Sequence, residues 1–144
     1  ITGVLAVILG LLAIACPQGN NTPSKASPEL VQQVSLRKQQ LSSPAPETLA
    51  RMKDLGMRTE PLDIQRVFIY LKEPLTAQQT AELNATGISV YPGSWVPPTG
   101  SHPAGYILAE MPVDKLDALM AKDFVVRLDT AEKKLEPQGG ARPG

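Results

Sequence analysis

The chain is poor in the side chains that most site chemistry needs. It holds one cysteine, Cys16, and one histidine, His102. A lone cysteine excludes an intrachain disulfide and a cysteine metal cluster. With a lone histidine added, a catalytic triad, a zinc site or a dithiol redox motif lacks its parts, so no metal, no cofactor and no enzyme chemistry are expected. Charge of either sign is also missing as an excess: Lys plus Arg equals Asp plus Glu at 14 each. Residues 66–137 carry 7 basic and 9 acidic side chains, the wrong balance for a polyanion partner, and no nucleic acid is expected. Aromatic residues amount to 4%, so the few present are informative wherever they gather. In contrast, 14 Pro and 11 Gly in 144 residues leave room for one modest domain of about 70 residues, the remainder lying outside it.

Ile1 to Cys16 is apolar apart from Thr2, Gly3 and Gly10, and turns polar at Pro17-Gln18-Gly19-Asn20-Asn21. Sixteen residues fall short of the roughly 20 that a membrane helix needs, but they fit the apolar region of an export signal. The chain begins at Ile1 with no charged amino-terminal region, so a longer leader is expected upstream. The ending Leu12-Ala13-Ile14-Ala15-Cys16 resembles a bacterial lipobox, in which the cysteine takes the lipid and becomes the new amino terminus. Lipidation at Cys16 would hold the protein to the membrane, each buried methylene adding about 0.8 kcal/mol. Ala13-Ile14-Ala15 equally satisfies small-x-small cleavage, which would release a secreted protein instead.

Residues 17–65 read as a flexible tether carrying two short helices. Ser27-Pro28-Glu29 is a helix start, Ser capping and Pro at the first helical position. Leu30, Val31, Val34 and Leu41 give a thin apolar stripe over 28–42, and a second helix is expected from Glu47 to Leu55, stopped by Gly56. With so little apolar surface, the two helices are expected to form a solvated stalk; packing against the domain or a partner is the alternative.

From residue 66 to 137 the pattern becomes strand, helix, strand, twice over: Arg66–Leu71, Thr76–Ala85, Ile88–Tyr91, Tyr106–Glu110, Val113–Ala121 and Phe124–Leu128. Period-two alternation marks the first strand. Thr76 and Gln79 form a capping box, Gly87 stops that helix, and Ala81, Leu83 and Ala85 are expected on the sheet. Val113, Leu116, Leu119 and Met120 share one face of the second helix. The order βαββαβ predicts an α+β, ferredoxin-like fold: a four-stranded antiparallel sheet with two helices on one face. Residues 138–144 are expected to be a disordered tail.

The runs VFIYLKEPLTAQQTAELNATGISVY, from Val67, and GYILAEMPVDKLDALMAKDFVVRLD, from Gly105, resemble the propeptide and inhibitor domains of subtilisin-like serine proteases, in particular the fervidolysin-type prodomain. The matching features are the first strand running into Pro74-Leu75, the helix end and second strand around Gly87-Ile88-Ser89-Val90, and AEMPVDKLDAL ahead of Val125-Val126-Arg127-Leu128. Coverage is about half the chain, and these are packing and capping patterns with no catalytic residue among them. The resemblance implies a non-enzymatic partner of a subtilisin-like protease, acting as inhibitor or chaperone. No protease sequence follows Glu136–Gly144, which leaves a free-standing binding module or a piece of a longer protein. A cell-envelope lipoprotein with a structural or interaction role and no protease target is the alternative.

Placing Val67, Ile69, Leu71, Ile88, Val90, Ile107, Ala109, Val126 and Leu128 under the helices puts Phe68, Tyr70, Tyr91, Tyr106, Leu108, Val125 and Arg127 on the opposite face. All three tyrosines fall there, and aromatics beside an Arg suit a protein interface; in the resembled prodomains this open face docks on the protease. Coverage by the helices of residues 28–56 is the competing reading. The loop Pro92–Pro103 is long for its place and holds Trp95, either an interface anchor or a ring folded over the sheet edge, and His102. Asp114 and Asp117 at a helix start favour the positive end of its dipole. The resemblance further implies that the tail from Asp129 to Pro137 enters the protease cleft, with Leu135 filling a specificity pocket; a plain charged exit from the fold is the alternative.

Overall fold

The computed structural model describes residues 24–133, so Cys16 and Leu135 lie outside the described residues. The elements run α1 (Pro28–Ser42), α2 (Pro46–Asp54), β1 (Ile64–Leu71), α3 (Ala77–Ala85), β2 (Ser89–Val90), β3 (Gly105–Pro112), α4 (Leu116–Met120) and β4 (Arg127–Thr130). A 3-10 turn, Val113–Lys115, leads into α4.

The four strands form one antiparallel sheet in the order β2-β3-β1-β4. Each βαβ unit is therefore split, with β3 between β1 and β2 and β1 between β3 and β4, which is the ferredoxin-like α+β arrangement. The pleat sends alternate side chains to opposite faces, and both long strands alternate strictly between buried and half-buried positions. Val67, Ile69 and Leu71 of β1, Ile107, Ala109 and Met111 of β3 and Leu128 of β4 form one core with Leu83 of α3 and Leu116 and Leu119 of α4. Thr76 and Gln79 complete the capping box at the start of α3. Gly87, at φ +96°, ends that helix in the left-handed conformation open to glycine, and Ile88 N bonds back to Leu83 O at 2.9 Å.

Four expectations are corrected. First, α1 is no solvated stalk. Leu30 and Val34 belong to the sheet core, and the segment before α1 extends the sheet edge, Ser27 N donating to Leu128 O and Leu128 N to Lys25 O. Three helices, not two, thus cover the face. The buried stripe of α1 runs through Leu30, Gln33, Val34, Arg37 and Gln40, while Val31 and Leu41 are exposed. Second, the last strand starts at Arg127. Val125 N bonds Lys122 O, closing a turn that points Val125 into the core and leaves Val126 exposed. Val125 and Leu128 are both inward yet three apart, so period two fails between them. Third, on α3 only Leu83 is buried; Ala81 and Ala85 face outward. Fourth, the expected tail from Asp129 begins as structure: Asp129 and Thr130 end β4, and Glu132 is buried.

A polar network fastens α1 and the segment after β4 to the sheet. Arg37 is fully buried; its Nε donates to Gln65 Oε1 at 2.7 Å, its Nη1 to Leu62 O at 3.0 Å and its Nη2 to Glu132 Oε1. Glu132 also accepts from the backbone of Arg58 at 2.9 Å and of Arg66 at 2.8 Å. Gln33, Gln65 and Thr130 close the remaining bonds. A buried charge needs such partners, since desolvation alone costs several kcal/mol. Burial pulls the Arg37 pKa down, and Glu132 opposes that shift.

Candidate functional site

The face of the sheet turned away from the helices carries Arg66, Phe68 and Tyr70 from β1, Tyr106, Leu108 and Glu110 from β3, and Arg127 and Asp129 from β4. Strand register pairs Phe68 with Leu108, and sets Tyr70 between Tyr106 and Arg127. Such cross-strand neighbours are close enough to touch. The rings of Phe68 and Tyr106 meet edge to face at 5.1 Å, and those of Tyr70 and Tyr106 are tilted at 5.2 Å. The Arg127 guanidinium lies 3.9 Å from the Tyr70 ring centroid, a cation–π distance.

The long loop forms a wall beside these rings. Val96 and Tyr106 exchange two backbone hydrogen bonds, at 2.8 and 2.9 Å. The crossing is close because the strand opens with Gly105, where a Cβ would run into Val96 O, the Trp95 ring and Pro98. Between loop and sheet lies a groove of about 500 Å³, bordered by Phe68, Tyr70, Tyr106, Val96, His102 and Arg127. That size falls within the range of ligand pockets, about 300–1,000 Å³. None of the residues bordering it comes from 28–56, so the two leading helices do not cover this part of the face.

Trp95 is placed elsewhere. Its half-buried ring packs on the core side, by Leu75, Val90 and Ile107, so it is folded over the sheet edge and away from the tyrosines. Tyr91 is on the open face but at its opposite end from Tyr70. Its hydroxyl donates to Glu110 Oε2 at 2.7 Å. That bond, with the charges of Arg58 and Arg66 nearby, holds the Glu110 carboxyl below its usual range; the same bond raises the Tyr91 hydroxyl, against the opposing charges of the two arginines. Leu108 is half-buried between the two ends, its N–H donating to Ser94 Oγ at 2.9 Å.

The open face therefore has a charged end, built on Glu110, Arg58, Arg66 and Tyr91, and an aromatic end, built on Tyr70, Tyr106 and Arg127. Arg58 could not be found from sequence, because it reaches the sheet from the turn after α2, fixed there by its backbone bond to Glu132. His102 is exposed in the loop, its backbone bonded to Thr99. Asp114 and Asp117 are exposed at the start of the second crossover. Among the described residues there is no group of three or more His, Cys, Asp or Glu side chains placed to hold a metal, and no helix long and apolar enough to cross a membrane. Comparison with family models, with curated proteins and with solved structures finds no match.

Proposed function

We propose that the protein is a protein-binding module whose docking surface is the open sheet face, acting as inhibitor or chaperone of a subtilisin-like protease and held to the outer side of a membrane through lipid on Cys16. The observation that carries the reading is the uncovered aromatic end of that face. Phe68, Tyr70 and Tyr106 stand together beside Arg127, the residue types that anchor protein interfaces. The resemblance of residues 66–137 to protease propeptides supplies the partner. Inhibition would then need no bond making by this chain: the sheet face docks, and the segment with Leu135 occupies the cleft as a product does.

The test uses the chain from Pro17 onward, because a fragment starting at Arg66 would lose Leu30 and Val34 from the core. This chain is expected to bind a subtilisin-like protease in the micromolar range or tighter and to inhibit it competitively. Removing residues 134–144, beyond the described fold, is expected to abolish inhibition and leave weaker binding. Tyr70→Ala combined with Tyr106→Ala is expected to weaken both. A panel of such proteases that neither bind the chain nor are slowed by it would leave the envelope-module reading in place. Cys16→Ser tests the anchor separately: unchanged detergent-phase partitioning would remove the lipid from the proposal.

A further inference from the structure

Charge and shape at the aromatic end specify more than an apolar surface. Arg127 is the single formally charged side chain around a groove otherwise lined by Phe68, Tyr70, Tyr106, Val96, Ala104 and neutral or proline positions, with His102 at its rim. Among the described residues Arg127 takes part in no ion pair. Asp129, two residues along the same strand and face, is committed elsewhere: it accepts from Ser27 Oγ at 2.8 Å and from Thr130 N at 2.8 Å. The cation–π contact with Tyr70, at 3.9 Å from guanidinium carbon to ring centroid, restrains the guanidinium, which lowers the entropy lost when a planar anion docks against it.

The apolar part of the groove has its own preference. Tyr70 and Tyr106 lie side by side, Phe68 closes one end edge-on, and Val96, Pro97 and Pro103 form the facing wall. Aromatic-lined grooves of this kind receive extended, proline-bearing peptides, whose left-handed helix is already formed and exposes no unsatisfied donor at each proline. Resting on the protein-binding reading above, we infer that this groove takes an extended, proline-containing segment of a partner protein, and that Arg127 receives a carboxylate next to the prolines. A carboxylate matches the guanidinium fork two bonds at a time, where an amide cannot.

The experiment measures fluorescence anisotropy of labelled, amidated hexapeptides, Pro-Pro-Leu-Pro-Glu-Pro and its Glu-to-Gln counterpart, against the full chain in neutral detergent. The acidic peptide is expected to bind with a dissociation constant below about 1 mM and about tenfold or more tighter than the amide peptide, the scale of a charge-assisted pair. Arg127→Gln is expected to erase that difference and leave the weaker, apolar binding of both peptides. Arg127 is exposed, so the variant is expected to melt as the parent does, and an Arg127→Lys chain should keep only part of the preference. Equal binding of the two peptides, no binding of either, or a preference that survives Arg127→Gln would overturn the inference. Binding of anionic phospholipid vesicles in place of both peptides would also overturn it. Protease inhibition is scored on the same preparations: a chain that inhibits but ignores the peptides loses only this inference, whereas one that does neither loses the docking face as well.

Discussion

Arg37 and Glu132 stand 95 residues apart in the chain and meet inside the protein, guanidinium Nη2 donating to carboxylate Oε1, with side-chain exposures of 0% and 2%. The pair joins α1 to the segment that leaves β4, and Glu132 at the same time takes the N–H groups of Arg58 and Arg66. Its removal in halves is therefore asymmetric. Glu132→Ala leaves a buried cation and two backbone donors without acceptors, an expected loss of about 3–5 kcal/mol. Arg37→Met combined with Glu132→Gln removes both charges, and is expected to cost less than the two single changes added together. Urea denaturation of Arg37→Met, Glu132→Gln and the double variant measures this; additive losses would mean that the two side chains do not act as a pair.

Two adjacent residues of α1 distinguish a packed helix from a stalk. Leu30 has no exposure and Val31 has 44%. Leu30→Ala is expected to cost about 2–5 kcal/mol as a core truncation, whereas Val31→Ala should stay within about 0.5 kcal/mol. In β1 the same comparison holds between Ile69, fully buried, and the half-buried Tyr70, with Ile69→Ala the costlier change. Equal denaturation midpoints for Leu30→Ala and Val31→Ala would return α1 to solvent.

What was legible in the sequence follows the same division. The order βαββαβ, the capping box of Thr76 and Gln79 and the stop at Gly87 could be read because each is a local rule, satisfied within a few residues. The phase of β1 could be read from Val67, Ile69 and Leu71 and that of β3 from Ile107 and Ala109, and the burial alternation of both strands agrees. The phase of Val125 and Val126 could not, because two adjacent valines give the same apolar signal and a turn decides which enters the core. The packing of α1 was hidden for another reason: three of its five buried positions are Gln33, Arg37 and Gln40, and the partners of Gln33 and Arg37 include Gln65 on β1, Thr130 at the end of β4 and Glu132 beyond it. On the open face, Phe68, Tyr70, Tyr106 and Arg127 followed from alternation in β1 and β3 and from the strand phase of Leu128. Arg58 and the core-side position of Trp95 depended on how turns and loops cross the sheet, which no periodicity encodes.

The Tyr91–Glu110 bond gives the charged end of the open face a pH signature. The Glu110 carboxyl is depressed in the folded chain by the Tyr91 hydroxyl first, then by Arg58 and Arg66. Its contribution is therefore complete above the unfolded value of 4.5 and is lost as pH falls through the lower folded value. The Tyr91 hydroxyl is raised by the same bond above its ordinary 10.0, so its contribution is complete below that pH and is lost as pH rises through the folded value. Tyr91→Phe is expected to lower the melting temperature across the plateau between these limits and to flatten both flanks. Parallel pH profiles of parent and variant, offset by a constant, would show that the bond carries none of the pH dependence.

Gly105 determines whether the loop can wall the groove at all. A side chain there meets Val96 O, a backbone atom that two hydrogen bonds to Tyr106 hold in place, and the ring of Trp95. Neither neighbour can yield without moving the loop off the start of β3. Gly105→Ala is thus expected to destabilise by about 1–3 kcal/mol, the usual cost of overpacking. Trp95 is the only tryptophan in the chain and packs half-buried against the core, so its emission reports the displacement directly, shifting to the red as the ring gains water. Gly93→Ala is the control, since a Cβ there meets nothing within 4 Å and should leave the spectrum unchanged. If Gly105→Ala keeps the parent emission and midpoint, the loop does not cross the strand as closely as Val96 and Gly105 indicate, and the groove wall goes with it.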